Sequence, residues 1–254
     1  MADVAALFEV MSGSPAPLSP TALRGVRVAV LRPAMAADLA ERFDAACKAL
    51  QAAGAVLVPV ERPKTETLGE QEYLVLKTEF KAAVAAYLAK AAPAVTARDL
   101  DALIAFNRAH AGEELRWFGQ ELFEEAAQTK GLDDPAYRAA RIMSRRTAAA
   151  AIDAMRFAAK AQFIVSPSGG PAWLSDPVNG DQSNGPSASR LPAVSGYPHL
   201  TVPMGLVRGL PVGLSFFGPS GRSGEARLLA AGYAFEQAAK ARVAPRYLRT
   251  IAAE

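Results

Sequence analysis

An α/β fold, a mixed sheet flanked by helices, is what this 254-residue sequence predicts. Three observations predict it. The first is an early strand–helix–strand pattern over residues 26–60. The second is a run of helical segments through the middle, in a chain with 55 alanines, the best helix former. The third is a set of short apolar runs after Phe163, separated by a long stretch rich in Gly, Pro, Ser and Asn.

The elements follow in order. Residues 2–11 read as a short apolar helix ending at Ser12-Gly13, and Ser12 to Pro20 as a Pro/Ser loop. Val26 to Leu31 alternates and then turns apolar, which is a strand. Ala36 to Ala53 is an amphipathic helix with Leu39, Phe43, Ala46, Cys47 and Leu50 on one face. Gly54 suits the left-handed position after its end, and Ala55 to Val60 is a second strand. The spacing favours a parallel pair with a right-handed crossover. Cys47 falls on the apolar face and reads as a core residue rather than a reactive one.

After a loop at 63–70, a helix is expected from Gln71 to about Lys90, closed by Pro93. Thr96 to Asp99 offers an N-cap for a helix through Asn107 and His110. A charged, aromatic helical segment is expected from Glu113 to Gln128. Asp133-Asp134-Pro135 then opens a long helix to about Lys160, with Asp capping free N–H groups and Pro in the first turn. Strands are expected at Phe163–Val165, His199–Val202 and Val212–Phe217, and a last helix from about Gly224 to Arg242. No internal repeat or linker divides the sequence, so 1–254 reads as one domain.

Composition narrows the function. Hydrophobic residues make up 51% and charged residues 21%, which is ordinary for a globular chain rather than a disordered one. One cysteine excludes a disulfide scaffold and a cysteine zinc site, and two histidines argue against a His-rich metal centre. The expected cofactor set is therefore empty. The start carries Asp3 and Glu9 and no basic stretch, and no apolar run reaches the ~18 residues of a span, so neither a secretory signal nor a membrane partner is expected. A cytoplasmic location with a reduced thiol is the expectation. The pI near 9.1 reflects a net charge of only +3. Arg138, Arg141, Arg145 and Arg146 form a solvated stripe without interleaved aromatics, so no nucleic-acid partner is expected.

The stretch 166–197 is longer than structureless loops usually are, and such loops often carry function. Trp173, Asp176, Asn179, Asp181, Gln182, Ser183, Asn184, Ser187 and Ser189 give it donors, acceptors and one large aromatic. That inventory suits recognition of an amide or another polar uncharged group. It equally suits a surface loop whose side chains cap its own turns. A serine hydrolase needs a base and an oxyanion hole as well, and neither a G-x-S-x-G nor an S-x-x-K is present. His199 reads as a packed, hydrogen-bonded histidine and His110 as a solvated or capping one. Lys77 and Lys81 read as solvated cations paired with acids such as Glu79.

"VSPSGGPAW", "GDQSNGPSAS", "PAVSGYPHLTVPMG" and "GLPVGLSFFG", in this order and spacing, resemble the C-terminal part of amidase-signature enzymes. "LRGVRVAVLRP", "EFKAAVAAYLA", "DDPAYR" and the closing "LLAAGYAFEQAAKARVAPRY" extend the resemblance over essentially the whole chain. It implies an incomplete amidase-signature fold. It also implies hydrolysis of carboxamide C–N bonds by a Ser, cis-Ser, Lys triad in which Lys is the base, the cis-Ser relays the proton and the second Ser attacks the carbonyl. In the family those residues precede the segment that matches here, so no catalytic residue is assigned, and Ser187 and Ser189 do not inherit the nucleophile.

By the resemblance, Trp173, Asp176, Asp181 and Asn184 are the substrate-binding candidates. Each could also be loop scaffolding. The implied partners are a small or peptide-like amide and either an N-terminal amidase half or a second copy of the chain, meeting at an unpaired strand edge and an apolar face. The alternative is a catalytically inactive, truncated or repurposed amidase-like binding module. A tRNA-linked role belongs to a neighbouring branch of the family, and nothing in this sequence supports an RNA surface.

Overall fold

The structure, a computed structural model, describes residues 1–183, 185–219, 221, 223–245 and 247. The chain forms two compact units, one of Met1–Pro63 with Ala149–Glu254 and one of Lys64–Ala148.

In the first unit, helix α1 (Ala2–Ser12) ends on Gly13, which takes the left-handed conformation. Strand β1 (Arg27–Leu31), helix α2 (Ala37–Ala52) and strand β2 (Val56–Val60) form the expected strand–helix–strand unit, with β1 and β2 parallel. Gly54 (φ 94°) closes α2: its N–H donates to the Gln51 carbonyl and that of Ala55 to Leu50. This paired arrangement satisfies two carbonyls at the helix end and requires a positive φ that glycine accepts without strain.

The second unit begins with α3 (Leu68–Leu88), α4 (Leu100–Ala109), α5 (Ala111–Glu114) and α6 (Glu121–Ala127). Asp99 caps α4, its Oδ1 accepting from the Ala102 N–H at 2.8 Å. The continuous helix expected over 113–128 is instead broken between Glu114 and Glu121. Gly119 lies in the break, where a Cβ would come within 2.2 Å of the Glu121 carboxylate. The Gln120 side chain accepts from Asn107 and donates to the Ile104 carbonyl, so tertiary bonds replace helical ones there. Lys77 and Lys81 are not paired with Glu79 as expected. Lys77 bonds Glu125 at 2.9 Å, and Lys81 bonds the carbonyls of Ala127 and Thr129 at the end of α6. Glu79 instead accepts from the Tyr137 hydroxyl and pairs with Arg141. Tyr73, Leu76, Phe80 and Tyr87 form an exposed stripe along α3 at helical spacing.

Helix α7 (Pro135–Ala159) starts as predicted, with Asp134 accepting from the Ala136 N–H and Pro135 in the first turn. Its last residues, from Ala149, belong to the first unit. There follow β3 (Phe163–Pro167), α8 (Arg190–Ser195), β4 (His199–Val207), β5 (Leu210–Phe217) and α9 (Gly224–Ala239). The short α8, inside the stretch expected to lack regular structure, ends on left-handed Gly196.

The five strands form one mixed sheet in the order β2-β1-β3-β5-β4, with β3 parallel to β1 and β5 antiparallel to both β3 and β4. β2 and β4 are its edges. β4 runs five residues beyond its expected end, straight through Pro203, with a register shift between Pro203 and Gly205. Proline is tolerated at a sheet edge or a bulge because its missing N–H interrupts no interior ladder.

Register sorts the side chains into two faces. On one face Val28, Phe163, Val165, Phe216, Leu214, Val202 and Met204 pack with Leu39, Phe43 and Leu50 of α2 and with Leu228 and Phe235 of α9. Each such fully buried Leu or Phe contributes about 1.5–3 kcal/mol relative to exposure. Cys47 is half-buried against this cluster, as its place in the sequence suggested. On the other face Ala29, Ile164 and Phe217 are fully buried, but the side chains toward β4 become polar: Ser166, Ser215, His199 and Thr201. Phe216 and Phe217 thus both serve as core, one on each face.

Candidate functional site

β1, β2 and β3 are parallel, and the chain passes from β2 on one side of β1 to β3 on the other. In open α/β sheets the crevice beyond the carboxyl ends, where the strand order reverses, is where ligands bind. The segment leaving the carboxyl end of β3 is the long loop 168–189.

The loop is pinned at its neck. Ser168 N–H donates to the Gly213 carbonyl at 2.8 Å, and Ala188 N–H donates to the Ser168 carbonyl at 3.3 Å. Gly185 packs on the Gly170 backbone so closely that a Cβ would sit 3.1 Å from the Gly170 nitrogen. That close approach is made easy by the absence of a side chain at Gly185.

Beyond the neck the loop builds its own turn. Asp176 Oδ1 accepts from the Val178 and Asn179 N–H groups at 2.9 and 3.0 Å, and Oδ2 accepts from Asn179 Nδ2 at 2.8 Å. These bonds, that from the Asn179 side chain first, hold the Asp176 carboxyl below its ordinary range. Trp173 Nε1 donates to Asp181 Oδ1 at 3.2 Å, with the Trp173 ring about half exposed (51%). Three of the four sequence candidates therefore lie in one loop and bond within it in two separate groups, Asp176 with Val178 and Asn179, and Trp173 with Asp181. The fourth, Asn184, lies outside the described residues. Ser187 and Ser189 face each other at 2.9 Å and are exposed.

The sheet face beneath the neck holds a polar chain that the sequence reading did not assemble. His199 Nε2 lies 2.7 Å from Ser215 Oγ, Ser215 donates to Ser168 Oγ at 2.8 Å, and Ser168 Oγ lies 2.5 Å from Thr201 Oγ1. Ser215 has one hydroxyl hydrogen, which goes to Ser168, so it accepts from His199 and the imidazole carries its proton on Nε2. Ser215 is fully buried, whereas Thr201 and His199 lie on the exposed side of β4. His199 is thus hydrogen-bonded as expected, but not packed away. Partial burial lowers its pKa from the usual 6.5, which favours the neutral ring.

Gly213 leaves the space this chain occupies, since a Cβ there would lie 2.5 Å from Thr201 Oγ1 and 2.9 Å from Ser168 Oγ. Elsewhere in the same unit, the Tyr197 hydroxyl donates to Asp153 Oδ2 of α7 at 2.8 Å. The available sequence signal was alternation: Ser166/Ser168, His199/Thr201 and Gly213/Ser215 each sit two apart in otherwise apolar strands.

The remaining candidates are structural. His110 ends α4, with its Nδ1 2.9 Å from the Phe106 carbonyl and its ring stacked on Phe106. No group of three or more metal-ligating side chains occurs among the described residues, and none of the helices described is long and apolar enough to cross a membrane. An open depression of about 350 Å³ lined by Pro59, Val60, Glu61, Pro63, Ala154, Met155 and Ala158 offers one exposed carboxylate.

The sheet with this strand order and the glycine-necked loop leaving β3 together define an α/β domain that carries the site at one end of its sheet. Residues 6–229 match the Amidase family, and the chain belongs to that family. Among solved structures, a peptide amidase in complex with the competitive inhibitor chymostatin is 40% identical, with a TM-score of 0.83 over 90% of this chain and 46% of its own. The native peptide amidase from Stenotrophomonas maltophilia is likewise 40% identical over 90% and 46%, with a TM-score of 0.81. An amidase family protein from Bacillus anthracis is 26% identical over 90% and 41%, with a TM-score of 0.70. The chain thus spans less than half the length of these structures. No curated protein sequence matches it.

Proposed function

We propose that these 254 residues are the C-terminal, substrate-pocket part of an amidase-signature domain that hydrolyses carboxamide C–N bonds. In this reading the bond-breaking Ser, cis-Ser and Lys come from polypeptide outside these residues, an N-terminal amidase half. The observation that carries it is the asymmetry of the match: 90% of this chain against 46% of a peptide amidase at a TM-score of 0.83. Lys77 and Lys81 support it, because both ammonium groups are spent on Glu125 and on helix-end carbonyls rather than poised as a base. The exposed α3 stripe and the two sheet edges are surfaces for the missing half. The substrate is a small or peptide-like amide, met by the 168–189 loop with Trp173, Asp176, Asp181 and Asn184 at or near the pocket mouth. The single half-buried thiol fits a cytoplasmic setting.

The test mixes the purified chain with the N-terminal half of the peptide amidase and follows ammonia release from a peptide amide. Release is expected from the mixture and from neither part alone. A mixture that forms a complex by light scattering yet releases no ammonia defeats the reading. So does a covalent adduct formed by this chain alone with an acylating probe.

A further inference from the structure

The polar chain on the sheet face leaves a donor over. Its three hydroxyls, Ser215, Ser168 and Thr201, carry three hydrogens. The Ser215 hydrogen goes to Ser168. Ser168 and Thr201 share one hydrogen bond, in which either can donate. Whichever does, one hydroxyl hydrogen of that pair has no acceptor among the described residues. If Ser168 donates, the Thr201 hydrogen is left; if Thr201 donates, the Ser168 hydrogen is left. Thr201 is exposed and Ser168 half-buried, so the spare donor is within reach of a ligand.

Three further features make this a formed site rather than two surface hydroxyls. The pair is fixed from below by fully buried Ser215 and, through it, by His199. Each donor in such a chain polarises the next, which strengthens the last one. Gly213 supplies the room in which the two hydroxyls meet. Ser168 is also the neck of the 168–189 loop, bonded through its own backbone to Gly213 and Ala188.

We propose that the Ser168–Thr201 hydroxyl pair is a hydrogen-bond donor subsite that binds the carbonyl oxygen of a carboxamide ligand, with Ser215 and His199 as positioning residues behind it. The choice of a carboxamide rests on the functional reading above; the spare donor does not. A neutral acceptor fits better than an anion, because no cationic group takes part in the hydrogen-bonded chain. Removing the Thr201 hydroxyl leaves the Ser168 hydrogen as the spare donor but takes away the partner hydroxyl that fixes its direction. Removing that of Ser215 leaves both hydroxyls of the pair in place but releases their orientation, which is the smaller loss.

The test titrates the ¹⁵N-labelled 254-residue chain with N-acetyl-phenylalaninamide and, as control, with 2-phenylethylamine, which keeps the ring and lacks the carbonyl. The amide is expected to move the Ser168 and Thr201 backbone signals and the His199 Nε2 signal along one saturable curve, and the amine to leave them in place. Thr201→Val should weaken binding at least fivefold. Ser215→Ala should weaken it two- to threefold, with Ser215→Thr restoring it. Ser168→Ala is the second variant if Thr201→Val does not fold. Absence of a saturable shift at these residues, or wild-type affinity in a folded Thr201→Val or Ser168→Ala chain, overturns the subsite.

The two readings fail separately. Ammonia release by the mixture with wild-type KM in Thr201→Val keeps the amidase reading and removes the subsite. Saturable binding to this chain with no ammonia from the assembled mixture does the reverse.

Discussion

Gly213→Ala is the substitution that most directly asks whether the sheet-face chain is built as described. The added Cβ would lie 2.5 Å from Thr201 Oγ1 and 2.9 Å from Ser168 Oγ. Both are inside the distance at which something must move. Replacing glycine by alanine in a permitted conformation stabilises by about 0.4–1 kcal/mol through the unfolded chain. Forcing a methyl into occupied space costs about 1–3 kcal/mol, and separating the Ser168–Thr201 hydrogen bond costs about 1 kcal/mol more. The expected net is a loss of about 1–3.6 kcal/mol in urea unfolding.

A double-mutant cycle isolates the cause. Thr201→Ala removes the nearer of the two atoms, so the Gly213→Ala, Thr201→Ala chain should be less destabilised than the sum of the two singles by about 1 kcal/mol. A Gly213→Ala chain as stable as the parent, or strict additivity in the cycle, would refute the account of why glycine stands there.

Two further predictions concern titrating groups. Burial lowers the His199 pKa below 6.5, so between that lowered value and about 6.5 the unfolded chain binds more protons than the folded one. Stability therefore rises with pH through this window and is complete above it. The urea midpoint should fall below pH 6.5 more steeply in the wild type than in His199→Gln, and parallel curves for the two would exclude the effect. Burial, reinforced by Asp44, pushes the Cys47 thiol up to about 11. The thiolate fraction at pH 8 is then about a hundredfold lower than for an ordinary cysteine of pKa 9.0. Iodoacetamide should label Cys47 slowly in the folded chain and rapidly in urea, as read by mass spectrometry, and equal rates would contradict the burial.

What the sequence made legible was decided locally. Gly54 after an amphipathic helix, and Asp134-Pro135 before another, each act within a turn or two of where they stand, and both are where they were expected. The departures arise where a distant partner decides. The 113–128 segment has helical composition apart from Gly119, and there Gln120 bonds with Asn107 and Ile104 replace its continuation. β4 continues past Pro203 because it lies at the sheet edge, and edge position is a property of the assembled sheet. Lys77 and Lys81 find partners 46–48 residues away rather than on their own helix.

The site divides in the same way. Asp176 and Asn179 are three apart, and a loop rich in Asx residues announces its own turns. Ser168 and Thr201 are 33 residues apart and Ser168 and Ser215 are 47 apart. Only the register of three strands places them together.

That division also separates what the two parts of the site contribute. Asp176, Asn179, Trp173 and Asp181 spend their polar atoms on each other, so they give the loop its shape before any ligand arrives. The sheet-face chain is different. Replacing a hydrogen-bonded pair on a buried sheet face by apolar groups of the same shape is nearly neutral in stability, and Ile164 and Phe217 show that the same face is filled by apolar side chains toward β1. Stability alone therefore gives no reason for a polar chain there that leads from His199 through a fully buried serine to a surface threonine. A donor held at the carboxyl end of β3, where the 168–189 loop leaves the sheet, gives one: the buried serine behind it fixes its direction, and its exposed side stays open to a carbonyl.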